Sequence, residues 1–279
     1  MEKVTVRSFL DMKREGRKIV MITAYDYPTA KIVDEAGVDG ILVGDSVGMV
    51  LLGYDSTLKV TMEDMLHHVK AVARARPKAL LVADMPFMSY EKSNSEALEN
   101  AAKFMRAGAE AVKLEGGVEI VDRVEALVKA GIPVMGHIGL NPQRIYTSGG
   151  YRYRGRTEEE AVKLVEDAAA LEEAGAFSIV IELVYSEVAR EITRRLSIPT
   201  IGIGAGPYCD GQIIVYHDIM GLTPYKLSFV KRYAELYEVM KNVVATYSSE
   251  VRGGVFPGEG NYRTMDKDIL KKFLERLGR

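Results

Sequence analysis

Short apolar runs recur along the 279-residue chain, and most are followed by a longer stretch with the spacing of an amphipathic helix. The runs are KIVMITAYD (18–26), GILVGDS (40–46), ALLVADM (79–85), AVKLEGG (111–117), IPVMGHIG (132–139), FSIVIEL (177–183) and IPTIGIGAG (198–206), with IIVYHD (213–218) as an eighth. They are continuous rather than alternating, the pattern of strands covered on both faces in a parallel sheet. Between them lie PTAKIVDEAG, TMEDMLHHVKAVARA, SEALENAAKFMRAGA and EEEAVKLVEDAAALEEAGA. Gly37, Gly108 and Gly175 stand where a left-handed residue would end a helix. Strand–helix alternation repeated about eight times implies an α/β fold, a (β/α)8 TIM barrel in one domain over 1–279. A doubly wound open sheet is the competing arrangement, but no Rossmann glycine fingerprint follows the first run. VTVRSFLDMKREG reads as a helix ahead of the first strand, placed to plug the barrel's N-terminal end. GGVFPGEGNYRTMDKDILKKFLERLGR reads as a Gly/Pro-containing loop and a closing helix.

Composition narrows the function classes. Net charge is −2 and the sequence pI about 6.2, so no basic field favours nucleic acid or an anionic membrane. The lone cysteine, Cys209, precludes an intramolecular disulfide and suits a reducing, cytoplasmic setting. MEKVTVRSFLDMKREG has no apolar signal core, and no run approaches the roughly 20 apolar residues that span a bilayer.

The chemistry collects at the C-terminal ends of the runs, the rim on which barrel enzymes build their active sites. In order, that rim offers Asp45 with Ser46, Asp84, Lys113 with Glu115, His137, Glu182, and the glycines of GIGAG (202–206). Any one of these has an ordinary reading as a helix cap or a rim ion pair. As a set they are costly beside apolar strands unless paired or metal-bound. Carboxylates without a Cys or His cluster suit a hard divalent cation, Mg²⁺ above all. With a lysine and a spare carboxylate, such a mouth suits formation of an enolate next to a carbonyl. Elsewhere, His67 and His68 are adjacent on a predicted helix and read as structural, as does His217. Cys209 has no evident histidine partner. GIGAG reads either as a place for close ligand approach or as strand packing. IYTSGGYRYRGRT (145–157), with Tyr146, Tyr151, Arg152, Tyr153, Arg154 and Arg156, reads as a loop over the mouth or an interface arm.

ITAYDYPTA, VGDSVGMVLLGYDST, LLVADMPFMSY, AVKLEGG, GHIGLNPQ, GGYRYRGRT, IPTIGIGAGPYCDGQIIVYHD and GVFPGEG together resemble the ketopantoate hydroxymethyltransferase family, over roughly residues 1–262. The resemblance implies transfer of a hydroxymethyl group from methylenetetrahydrofolate to alpha-ketoisovalerate (3-methyl-2-oxobutanoate) through a Mg-stabilised enolate, giving ketopantoate for pantothenate and coenzyme A. It implies Mg²⁺ held by Asp45 and Asp84, with Glu115 in its sphere. It implies contact of the keto acid with Ser46, Asp84 and Lys113, His137 holding or polarising it, and Glu182 as general base. It also implies a homo-oligomer, often a decamer. The competing enzyme class is a Mg-enolate lyase or mutase of the phosphoenolpyruvate mutase/isocitrate lyase type. A non-catalytic ligand-binding barrel is the reading outside catalysis.

Overall fold

Eight parallel strands close on themselves in sequence order. The computed structural model describes residues 2–223 and 225–279. The strands are β1 (Ile19–Thr23), β2 (Gly40–Val43), β3 (Leu80–Asp84), β4 (Ala111–Glu115), β5 (Val134–Gly139), β6 (Ser178–Glu182), β7 (Thr200–Ile203) and β8 (Gly211–Ile214). Pairing of Ile19 with Gly211 and Met21 with Ile213 joins the first strand to the last and closes the barrel. The open-sheet alternative is excluded.

The two-residue period of each strand sorts side chains into two cores. Ile19, Met21, Leu42, Leu80, Val82, Ala111, Met135, Val180, Ile201 and Ile213 fill the barrel interior. Their neighbours Ile22, Ile41, Val43, Leu81, Ala83, Val112, Leu114, Val134 and Ile179 face outward and pack against the surrounding helices. Those helices begin where the sequence supplies caps: Asp26, Thr61, Ser93 and Thr157 each accept a first-turn backbone N–H. Gly37, Gly108 and Gly175 all take positive φ.

The opening helix Val6–Arg14 plugs the N-terminal end as expected. Its Phe9 and Met12 are buried among the inward-facing strand residues, and the Phe9 ring meets Phe177 edge-on at 6.0 Å. Lys13 adds an ion pair to Asp210 at 2.8 Å, tying the plug to the β7–β8 turn.

Three details depart from the sequence reading. β8 begins at Gly211 and ends at Ile214, and the YHD of IIVYHD lies in a short helix, Tyr216–Ile219. No helix separates β7 from β8, which residues 204–210 connect directly, so the alternation is incomplete there. The helix expected to close the molecule, observed at Lys267–Arg276, buries none of its residues, and neither does the longer helix Leu236–Arg252.

Candidate active site

The period that fills the barrel with Leu80 and Val82 carries Asp84 into the same interior one step higher. Ala111 is followed inward by Lys113 and Glu115, Met135 by His137, and Val180 by Glu182. Asp45 and Ser46 stand just past β2, in the turn into a short helix, Val47–Val50. All seven residues line one cavity of about 440 Å³ at the C-terminal mouth. Leu42, Val180, Ile203 and Ile213 also line it. Tyr151, Arg152 and Tyr153 border it from one loop, and Tyr225, Leu227 and Phe229 from another.

Lys113 is the centre of the charge arrangement. Its Nζ lies 2.9 Å from Asp84 Oδ1 and 3.6 Å from Glu115 Oε1, with all three side chains at most 4% exposed. Burial alone would disfavour the ammonium, but Asp84, Glu115 and Asp45 outweigh it and hold the lysine charged, above its ordinary pKa. The same ammonium explains Glu115. Burial would raise that carboxyl, yet Lys113, with help from His137, keeps it below the usual range. Asp45 has less help. Burial, compounded by repulsion from Asp84 and Glu115, pushes its carboxyl well up. Asp84 also rises, because burial prevails over the attraction of Lys113.

Lys113 Nζ is 2.9 Å from His137 Nδ1 as well. Burial and Lys113 disfavour a charged ring, whereas Glu115 and Glu182 favour one, and the net pull on the ring's pKa is upward. The short contact decides for the neutral ring, since two cations cannot share a hydrogen bond. Nδ1 therefore accepts from Lys113, and the ring proton sits on Nε2. Nε2 faces Glu182 Oε2 at 3.3 Å. Glu182 is the more open of the pair, its side chain 16% exposed against 3% for His137.

Around this group runs a hydrogen-bonded frame that the sequence reading did not single out. Gln143, from the turn after β5, donates its Nε2 to Asp45 Oδ2 at 2.9 Å and its backbone N–H to Glu115 Oε2 at 3.1 Å. Asp45 N–H donates to Asp84 Oδ2 at 3.2 Å. The buried Tyr25 hydroxyl meets Ser46 Oγ at 2.8 Å. Gln143 stands in the GHIGLNPQ motif, so its position was visible. Its contact with Asp45 was not, because 98 residues separate the two.

Of the weaker candidates, His68 and Cys209 fall outside this cavity. His68 is buried and bonds Tyr25 O through Nδ1 at 2.7 Å, a structural role as expected. Cys209 is buried in the β7–β8 turn, and burial raises its thiol pKa. Of the two readings of GIGAG, close packing describes the glycines. A Cβ on Gly204 (φ +62°) would meet Leu183 at 2.7 Å, and one on Gly206 would meet Ser186 at 2.6 Å. The 145–157 loop does reach the mouth. Arg154 is stitched to the end of β6 by N–H···O bonds to and from Leu183 and Tyr185, at 2.7 and 3.1 Å, and this holds Tyr151 and Tyr153 at the rim.

A buried lysine among four carboxylates at the mouth of a closed parallel barrel marks the chain as a (β/α)8-barrel enzyme. Solved structures share that fold. Phosphonopyruvate hydrolase in complex with oxalate and Mg²⁺ superposes with a TM-score of 0.63 at 15% identity, covering 99% of this chain and 97% of that one. A 2,3-dimethylmalate lyase gives 0.59 at 19% identity, over 98% and 94%. The family model for ketopantoate hydroxymethyltransferase matches residues 3–259, and the chain belongs to that family. It is 63% identical to the 3-methyl-2-oxobutanoate hydroxymethyltransferase of Ignicoccus hospitalis, over 94% of this chain and all of that protein. The enzyme of the same name from Caldivirga maquilingensis is 64% identical over 94% and 98%. That from Hyperthermus butylicus is 58% identical over 99% and 96%, so this relative extends into the C-terminal segment beyond the family model.

Proposed function

We propose that this enzyme converts alpha-ketoisovalerate to ketopantoate, with methylenetetrahydrofolate as one-carbon donor and Mg²⁺ as its metal. The observation that carries the reading is the row Lys113–His137–Glu182, hydrogen-bonded at its first link and 3.3 Å apart at its second, beside the Asp45/Asp84/Glu115 carboxylates in a chain of this family. Glu182 is the group to take the proton from the carbon next to the ketone. It is the most accessible carboxylate of the site, and its Oε2 stands 3.3 Å from His137 Nε2, which has no aligned hydrogen bond among the described residues. Lys113 lies where a bound keto acid's negative charge would collect, and Ser46 is held by Tyr25 to present its hydroxyl. The donor set fits Mg²⁺. Asp84 Oδ1 and Glu115 Oε1 are buried without an aligned hydrogen bond among the described residues, and three carboxylates, Asp45, Asp84 and Glu115, share the one ammonium of Lys113. Among the described residues no group of three or more His, Cys, Asp and Glu side chains is arranged to hold a metal ion by itself, so the cation would need ligands from substrate and water as well. Asp45 and Asp84 would hold it, with Glu115 alongside. When bound, the metal draws electron density from the keto oxygen and lowers the cost of removing the neighbouring proton. The carbon freed of its proton bonds the folate's methylene carbon, one water supplies the new hydroxyl oxygen, and both bonds from that methylene to the folate nitrogens break, the nitrogens taking up the keto acid's proton and one from the water.

A cytoplasmic setting suits the single free cysteine. Among the described residues, no helix is long and apolar enough to cross a membrane. A homo-oligomer is supported by the helix Leu236–Arg252, whose Met240, Val243, Val244, Tyr247 and Val251 form an exposed apolar stripe.

The deciding assay measures ketopantoate formed from alpha-ketoisovalerate and methylenetetrahydrofolate, with and without EDTA. Formation that stops on chelation and returns with Mg²⁺ is expected. Turnover of oxaloacetate or isocitrate instead would replace this reading with the lyase one.

A further inference from the structure

Gln143 has no task in the mechanism above, yet it is built into the wall of the site. It is 2% exposed, neutral, and touches two of the three carboxylates assigned to the metal. Its amide can stand only one way round. Nε2 lies 2.9 Å from Asp45 Oδ2 and 2.9 Å from the Met85 carbonyl oxygen. A carbonyl oxygen cannot donate, so a flipped amide would set oxygen against oxygen. Both Nε2 hydrogens are thereby committed. On the other side, Oε1 lies 3.0 Å from the hydroxyl of Tyr90, a side chain with no exposure. That hydroxyl is itself fixed by the β4 backbone. It accepts from Glu115 N–H at 3.2 Å and lies 3.0 Å from Glu115 O.

The outcome is a common arrangement of the three carboxylates. Asp45 has Oδ2 tied to Gln143 Nε2, Asp84 has Oδ2 tied to Asp45 N–H, and Glu115 has Oε2 tied to Gln143 N–H. In each, one oxygen is committed to a neutral donor, while Asp84 Oδ1 and Glu115 Oε1 face the Lys113 ammonium at 2.9 and 3.6 Å. We propose that Gln143 is a positioning residue that presets the cation site, holding Asp45 by its side chain and Glu115 by its backbone so that each presents a single oxygen. This rests on the reading of Asp45 and Asp84 as metal ligands. Groups that orient a ligand commonly matter by about 10–100-fold in metal affinity.

The test is Mn²⁺ binding to the full chain without substrate, followed by electron paramagnetic resonance of the free ion. Gln143→Leu and Gln143→Met remove both side-chain donors and leave the backbone bond to Glu115. Each is expected to bind Mn²⁺ about 10–100-fold more weakly than wild type, with Asp45→Ala weaker still, and excess metal is expected to restore turnover. Wild-type protein that binds no Mn²⁺ would sink the metal reading itself. Wild type and Asp45→Ala behaving as expected, while the Gln143 variants match wild type, would overturn the role of Gln143 alone. Loss of a cooperative thermal transition in both variants would also overturn it, since the residue would then be holding up the wall rather than aiming a ligand.

Discussion

Glu182 and His137 face each other across 3.3 Å, and the division of labour between them is open to a direct test. Glu182→Gln keeps size and shape but cannot accept a proton. The variant is expected to bind alpha-ketoisovalerate and Mg²⁺ with little change. It should exchange the substrate's C–H proton with deuterated water at least about 100-fold more slowly, the low end of an acid–base contribution. Exchange at the wild-type rate would transfer the role to Glu115. The exchange needs no folate, so it isolates proton removal from carbon–carbon bond formation. Most of this group was legible in the sequence for a simple reason. Asp84, Glu115 and Glu182 end their apolar runs, with Lys113 two residues inside Glu115, and a two-residue period fixes which side of a strand they occupy. Gln143 and Tyr90 were not legible, because one sits in a single 3-10 turn, Pro142–Arg144, and the other in a loop, and their meeting depends on how separate βα units pack.

At the scale of elements, the opening helix is the clearest case of sequence and structure agreeing. Phe9 and Met12 fall on one face of Val6–Arg14, and both are buried in the barrel's lower core. Phe9→Ala should cost about 3–5 kcal/mol, the usual penalty for removing a large aromatic from a packed interior. Because the plug lies at the end opposite the mouth, kcat at moderate temperature should stay close to wild type. Calorimetry together with a turnover assay would check this, and a stability loss under about 1 kcal/mol would show that the plug is dispensable. The eighth run was read correctly as a strand but with the wrong ends. Its second half, YHD, turns helical, where Tyr216 N–H bonds Thr23 Oγ1 at 3.0 Å on the far side of the barrel seam. That contact spans 193 residues and leaves no trace in local periodicity.

For the whole molecule, two exposed apolar regions point the same way. The outer wall at the seam is thinly covered, with Val20 of β1 51% exposed, and Leu236–Arg252 carries an apolar stripe with no buried residue. The protein should therefore scatter light as a multiple of its 30.8 kDa chain at assay concentration. A monomeric mass would remove the support for assembly. The barrel's closure carries a further consequence, one of timing. The pairing of Ile19 with Gly211 joins residues 192 positions apart (211 − 19), and bringing such distant segments together forfeits loop entropy that nearer strand pairs do not. During synthesis the first seven strands can associate as an open, curling sheet, while β1 keeps a bare edge until β8 has emerged. Pulse-labelled hydrogen exchange during refolding should show the β1 and β8 amides protected last, and protection of that seam before β3–β5 would mean the ring closes by another route. Until then the unpaired rim of β1 is a place where two unfinished chains can find each other, so the last bond of the ring is also the step at which a cell has most need to keep nascent chains apart.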